Sequence, residues 1–382
     1  MGVEMGIIEP AVRLRPRTEP SDPAETGVLS VDLAALADNW RTMTRLAGSA
    51  ECGAVVKADA YGLGLAPAMR ALLSAGCRTF FVANVVEGEA ARAVSQDAAI
   101  YVLDGLVPGA ARRLFAADLV PALGSLGELD EWATAGRKPK AAIHFDTGMN
   151  RFGIPIRDAA QAAERARHIA PTLVMSHFVS AQMRDEPRNE RQIEAFLDAR
   201  ARFADIPASM ANSSAVFLPQ RPHFDLVRPG YALFGGNPTP YAECPVRPVA
   251  RLHARILSTR EIEPGATVGY DGLWTAPRRA RIATIGVGYA DGVPVGATAC
   301  DAKPAGEALV GGVRCPFVGR VSMDYVVLDV TDAPRDAAQR GDWVELLGDG
   351  VCIEDAAARA GTIGYEILTR LGARFSRRYA GI

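Results

Sequence analysis

No stretch of this chain carries the uninterrupted apolar run of roughly 20 residues that a membrane-spanning helix needs. The formal net charge is −2, which removes the basic surplus expected of a nucleic-acid binder or of a protein held on an acidic membrane surface. The six cysteines are Cys52, Cys77, Cys244, Cys300, Cys315 and Cys352. None pairs as C-x-x-C, and the spacings suit neither a zinc site nor a small disulfide scaffold, so free thiols in a reducing compartment are expected and no metal is. The N-terminus shows no basic segment followed by an apolar core, so no secretory leader is read and a cytoplasmic protein is expected. No G-x-G-x-x-G follows an early strand, which counts against a dinucleotide fold. Lysine is scarce as well: of 42 Lys and Arg residues only four are lysines.

What is present is a chain of 382 residues, 49% hydrophobic and 23% charged, long enough for two domains. Residues 1–28 are rich in Pro, Glu and Arg without a period and read as a loose tail. From 29 to about 247, short apolar runs alternate with amphipathic stretches. Candidate strands are 29–32, 53–57, 79–83, 99–103, 119–123, 141–146, 173–177, 208–211 and 225–228. Helices are expected between them, among them 33–47, 66–75, 158–168 and 189–204. Alternation of this kind builds a parallel sheet with helices outside, and about eight repeats in this length suit a (β/α)8, TIM-like barrel. From 248 to 382 the texture changes to strands with Gly and Pro turns, at 249–259, 281–288, 307–310, 326–330 and 342–347, with helices only at 353–360 and 363–371. This reads as a mostly β C-terminal domain, with Pro245 and Pro248 marking the boundary.

In a barrel the chemistry sits at the carboxyl ends of the strands. Lys57 ends the run Gly53-Ala54-Val55-Val56 and is followed at once by turn residues. A lysine there either snorkels to solvent or, with its pKa lowered by burial or a nearby cation, attacks an aldehyde. The same end of the other strands carries Asp146 to Arg151, His177, Asn212-Ser213-Ser214 and Arg228-Pro229-Gly230-Tyr231. Loops after the last two strands of such barrels often hold a phosphate through N–H groups and hydroxyls. A reactive lysine, a phosphate cradle and an arginine between them are the parts that pyridoxal 5'-phosphate (PLP) requires.

From Leu29 onward the chain resembles the alanine racemase family. The resemblance rests on Val55-Val56-Lys57-Ala58-Asp59-Ala60-Tyr61-Gly62-Leu63-Gly64, on Asp146-Thr147-Gly148-Met149-Asn150-Arg151, on Ser176-His177-Phe178 and on Arg228-Pro229-Gly230. In the β region it rests on Val268-Gly269-Tyr270, Gly288-Tyr289-Ala290-Asp291-Gly292, Ser322-Met323-Asp324 and Gly361-Thr362-Ile363-Gly364-Tyr365-Glu366. It implies a barrel plus a β domain, a head-to-tail homodimer, PLP as cofactor and racemisation of alanine for the cell wall. It also implies roles. Lys57 would hold PLP covalently and act as one base, and Tyr270, from the second copy, as the other. Arg228 would hydrogen-bond the pyridine nitrogen, with His177 against the ring or behind Arg228. Tyr61, Asn212, Ser213, Gly230, Tyr231 and Tyr365 would surround the phosphate. Arg151 would face the phenolic oxygen and the substrate carboxylate, and Met323 and Tyr289 would narrow the substrate entrance. The chain departs from the family pattern at Asp59, Leu63 and Ser322, and at His144, which stands where many members carry a carbamylated lysine that orients the arginine. Something else, a bound anion or another hydrogen bond, would have to position Arg151.

The chemistry agrees with these residue types. Removing and returning an α-proton needs a cofactor to delocalise charge and a base on each face. An arginine cannot protonate the ring nitrogen, which weakens the electron sink and limits side reactions. Three other readings share parts of this pattern: a racemase of wider range acting on Ser, Lys or Arg, a decarboxylase with a carboxylate at the pyridine nitrogen, and a PLP carrier built on a bare barrel. Tyr289, Tyr365 and Met323 favour a small substrate, Arg228 opposes the decarboxylase, and the β region opposes the carrier.

Overall fold

A computed structural model describes residues 22–301 and 305–381. The chain divides into two compact units. One spans Asp32–Val249. The other joins Ala250–Tyr379 to the segment ending at Val31.

The first unit is a closed parallel barrel. Its strand order runs Ala54–Val55, Thr79–Val82, Ala99–Val102, Val120–Leu123, Lys140–Asp146, Ala170–Met175 and Ala208–Ser209. An Asn212–Arg228 bridge joins the last of these to Leu226–Val227, which returns to Glu51–Cys52 at the start of the first strand. Each strand is apolar on both faces: Thr79–Val82 and Val120–Leu123 are buried throughout, as strands enclosed by helices must be. Phe80, Phe81 and Phe145 are wholly buried, each contributing ~1.5–3 kcal/mol of apolar burial. Helix starts follow from caps: Asp32 accepts the Ala35 N–H, Asn84 the Glu87 N–H and Ser125 the Glu128 N–H.

The second unit is mostly antiparallel. Val313–Pro316, Glu307–Val310, Trp343–Leu347, Ala250–Ile262, Gly27–Asp32 and Ser376–Ala380 lie side by side in that order. Ala250–Ile262 shifts register between Ile256 and Ser258, and its far half pairs with Ala280–Ile285, which pairs in turn with Val326–Asp329. The helices Ile353–Ala360 and Gly364–Thr369 follow.

Two expectations are corrected here. Residues 29–32 do not open the barrel. Strand Gly27–Asp32 pairs antiparallel with Ala250–Ile262, Leu29 facing Leu252, so it belongs to the β unit, and its residues 27 and 28 leave the expected tail. Residues 1–21 of that tail lie outside the described residues. An apolar run marks a strand but not its sheet, and here the partner lies more than two hundred residues away. The strand expected over 53–57 stops at Val55, and Lys57 begins the next element.

Candidate active site

Where the first barrel strand ends, Val56 donates its N–H to Phe81 O at 2.9 Å, the last link to the neighbouring strand. The chain then turns sharply. Ala58, Asp59, Ala60 and Tyr61 all have φ between 53° and 56°, a left-handed turn made without glycine. L-residues resist this conformation by roughly 1–2 kcal/mol each, so the surroundings must hold it. Ala60 N–H reaches Val56 O, Gly62 N–H reaches Ala58 O and Gly64 N–H reaches Asp59 O. The Asp59 carboxylate accepts the Leu65 N–H at 2.7 Å. Glu87 accepts the Ala58 N–H at 2.7 Å. The turn sets Lys57 at the barrel mouth, exposed rather than enclosed by the strand. Crowding at the mouth and the Arg151 cation lower its ammonium pKa, while Glu87 and Asp104 oppose that.

Arg228 is the deepest charged group of this mouth, 4% exposed. It donates to the Ser209 hydroxyl and, at 2.7 Å, to Ser176 O, and it lies 5.8 Å above the Phe81 ring. Among the described residues no carboxylate pairs with it. Burial lowers its pKa to about 10. His144 and His177 feel the same cation. Desolvation first, then Arg228 and Arg151, push His144 to about 4 and His177 to about 3, so both imidazoles are neutral near pH 7. A buried guanidinium without a counter-charge, beside a second arginine and a lysine, is an anion site waiting to be completed. Arg151 itself follows a loop tied to Asp146, whose carboxylate accepts the N–H groups of Gly148, Met149 and Asn150. Neither a hydrogen bond nor an ion pair fixes the Arg151 side chain among the described residues, so no protein hydrogen bond takes the place of the missing carbamate beside neutral His144.

The cradle forms from the last two strand ends. The Ser213 hydroxyl oxygen accepts N–H from Gly230 at 3.0 Å and from Ala232 at 3.2 Å, which leaves its own proton to donate outward. Asn212 uses its side-chain carbonyl to cap Ala215, leaving its amide nitrogen as the group that can bind. Gly230 admits the Tyr61 hydroxyl: a Cβ there would lie 2.3 Å from it. Tyr61 stacks on Phe234 at 4.7 Å. Tyr231 is buried, its ring filling the space over Gly236.

The remaining expected residues sit on the β unit. Tyr270 opens a short turn after Gly269 and is 69% exposed. Tyr289 N–H and Ala290 N–H bond to Ser322 O and Met323 O, which sets Tyr289 and Met323 side by side, both exposed. Tyr365 is the second residue of the helix Gly364–Thr369 and is also exposed. Among the described residues no group of three or more His, Cys, Asp or Glu is placed to hold a metal, and no helix is long and apolar enough to cross a membrane.

Sequence reasoning passed over Ser209, Gln192 and Glu87, and quoted Ser176 only within the motif Ser176-His177-Phe178, without a role. The serines hold Arg228. Gln192, on the helix Pro187–Arg200, brackets the His177 loop, donating to His177 O at 3.0 Å and accepting from Val179 N–H at 2.9 Å. No short-range pattern marks Ser209 or Gln192. Glu87 did carry a signal: Asn84-x-x-Glu87 is a helix-start pattern.

Comparison with known proteins bears on this geometry. The family model for the alanine racemase N-terminal domain matches residues 31–238, and that for the C-terminal domain matches 249–379. The chain belongs to the alanine racemase family. An alanine racemase of Methylobacterium nodulans is 51% identical over 357 residues, covering 92% of this chain and 95% of that one. Among solved structures, the alanine racemase of Bartonella henselae with covalently bound pyridoxal phosphate superposes with a TM-score of 0.88 at 34% identity, over 93% of this chain and 99% of that chain. The biosynthetic alanine racemase of Pseudomonas aeruginosa gives 0.86 at 34%, over 94% and 100%. The racemase-family match spans both units and every motif described above.

Proposed function

We infer that this enzyme interconverts L-alanine and D-alanine with PLP held on Lys57, by a two-base mechanism in which Lys57 serves one face and Tyr270 the other. The observation that carries the reading is Arg228, a buried guanidinium without a carboxylate partner, set between the Lys57 turn and the Ser213–Gly230 cradle. The donor set suits the cofactor. The Ser213 hydroxyl, the Asn212 amide and Tyr61 offer neutral donors for a phosphate, Gly230 and Tyr231 line the cradle, and Lys57 offers the amine. Bound there, PLP supplies the electron sink that makes an α-proton removable.

The chain's own groups then have distinct tasks. The lowered pKa of Lys57 moves its amine toward the neutral form that a base needs. Arg228 would donate to the cofactor's ring nitrogen without giving up a proton, which would keep the sink moderate. Neutral His177 sits within the field of Arg228 without adding a further cation. Arg151, unpaired by protein, is available to a substrate carboxylate. Tyr289 and Met323, lent by the second copy, restrict the entrance to a small side chain. The reading further makes the enzyme a head-to-tail homodimer, each copy lending Tyr270 and Met323 to the other. It works in the cytoplasm, where six cysteines outside any disulfide are at home, and it supplies or consumes D-alanine for peptidoglycan.

The test follows the optical rotation of L-alanine with purified protein and PLP, repeated with L-serine and L-lysine. Decay to zero with alanine alone is the expected result. A flat trace with PLP reducibly attached would refute racemisation. Tyr270→Phe separates racemase from carrier: PLP stays attached, and turnover falls by ~100-fold or more in at least one direction.

A further inference from the structure

Glu87 occupies the point where the first two barrel strands part. Val56 N–H makes the last backbone bond between them. Beyond it two N–H groups lose their neighbours, Ala58 on one strand's exit and Ala83 on the other's. One carboxylate takes both: Glu87 Oε1 accepts Ala58 N–H at 2.7 Å and Oε2 accepts Ala83 N–H at 2.7 Å. Ala58 is the residue after Lys57 and the first of the four left-handed residues. Glu87 is itself fixed, since its own N–H is capped by Asn84.

The barrel contains the same device a second time without a lysine. Ser125 caps Glu128, whose carboxylate accepts the Gly124 N–H at 2.8 Å and that of Leu106 in the preceding loop. A glutamate three residues after a helix cap, tying together two successive strand exits, is thus a structural part of this barrel. At Glu87 the tie falls on the lysine turn, with a negative charge next to it.

We propose that Glu87 is a positioning residue for Lys57: its two hydrogen bonds hold the turn that aims the amine, and its charge opposes that of Arg151 at the amine. This rests on the assignment of Lys57 as the PLP lysine. The charged groups acting on Lys57 are Arg151, which favours the neutral amine, and Glu87 and Asp104, which favour the ammonium. Glu87→Gln keeps the shape and one acceptor but removes the charge. Glu87→Asp keeps the charge but is too short to span both N–H groups. Glu128→Gln perturbs the twin device away from the lysine.

Two readouts on the full-length, cofactor-stripped protein separate the effects. Acetic anhydride labelling of Lys57 against pH, read by peptide mass, reports the amine. Uptake of added PLP, fixed by borohydride and read the same way, reports the aim. In Glu87→Gln the labelling midpoint falls by about half to one pH unit, the size of a single nearby charge at a partly solvated site. In Glu87→Asp the midpoint holds and PLP uptake slows ~10-fold. Glu128→Gln changes neither beyond twofold, although it lowers the urea midpoint. A labelling midpoint in Glu87→Gln equal to wild type, or Glu128→Gln matching both effects, would overturn the proposal. Wild-type protein that takes up no PLP at Lys57 would instead refute the PLP assignment, leaving the labelling midpoints to decide the role of Glu87.

Discussion

Replacing Gly230 by alanine tests the cradle with one methyl group. The backbone there has φ −131°, outside the left-handed region that favours glycine, so the effect of alanine is read in what its methyl meets. It brings a carbon that would stand 2.3 Å from the Tyr61 hydroxyl, 3.0 Å from Tyr61 Cζ and 3.1 Å from Val55 Cβ. Non-bonded contact needs about 3.5 Å, so the phenol must retreat by about 1 Å. It cannot do so freely. Its ring is stacked on Phe234, and its backbone is the fourth residue of the left-handed turn. Overpacking of this kind costs ~1–3 kcal/mol. The same retreat removes the hydroxyl from a phosphate, and a hydrogen bond to a charged group is worth ~1.5–3 kcal/mol, a loss of ~10–100-fold in PLP affinity. Urea unfolding and PLP titration of the cofactor-stripped protein measure the two terms. Tyr61→Phe makes the argument sharper, because it deletes the 2.3 Å contact and leaves the 3.0 Å one. In that background Gly230→Ala loses less stability and almost no further affinity. A Gly230→Ala protein with wild-type urea midpoint and wild-type PLP affinity would refute the idea that Tyr61 and Gly230 form the phosphate cradle.

The other predictions concern buried bases and the anchor. His253 is buried with Nδ1 unpartnered, and burial pushes its pKa to about 4. Between pH 4 and its unfolded value of about 6.5 the unfolded chain holds the extra proton, so stability from this group is full above 6.5 and is lost as pH falls toward 4, by about 3 kcal/mol in all. His253→Leu flattens the acid limb of the urea-midpoint profile by one proton and leaves the pH 7 midpoint no lower; an unchanged limb would show that the group titrates normally. Arg228→Leu raises the midpoints of His144 and His177 in an imidazole NMR titration, since its charge is the second cause of both depressions. Desolvation, the first cause, keeps both below 6.5, so midpoints that stay at about 4 and 3 would refute the electrostatic reading. Lys57→Ala abolishes borohydride-fixable PLP; a persisting adduct elsewhere would remove Lys57 as the anchor.

What could be read from the sequence divides by the range of the physics. Helix Leu33–Ala47 was legible to the residue because its cap and its apolar period are local. The eight-fold alternation announced the barrel for the same reason. The sheet membership of Gly27–Asp32 was not legible, because pairing with Ala250–Ile262 is a decision made across the whole chain. Within the site, the residue types at Lys57, Ser213, Gly230 and Arg228 could be read because their chemistry is unusual at strand exits. The left-handed turn at Ala58–Tyr61 could not, because alanine and tyrosine carry no signal for positive φ; the turn is held by Glu87 and Phe234 from outside and by the Asp59 carboxylate from within. That asymmetry has a consequence for substitution. Residues proposed to do chemistry here are recognisable by type, while those that hold them in place are recognisable mainly by what they touch. Ser176, Ser209, Gln192 and Glu87 would pass as ordinary surface or helix residues in any composition-based reading. Yet each fixes an atom on which Arg228, His177 or Lys57 depends, so conservative changes at these positions reach the site through geometry rather than through lost reactive groups.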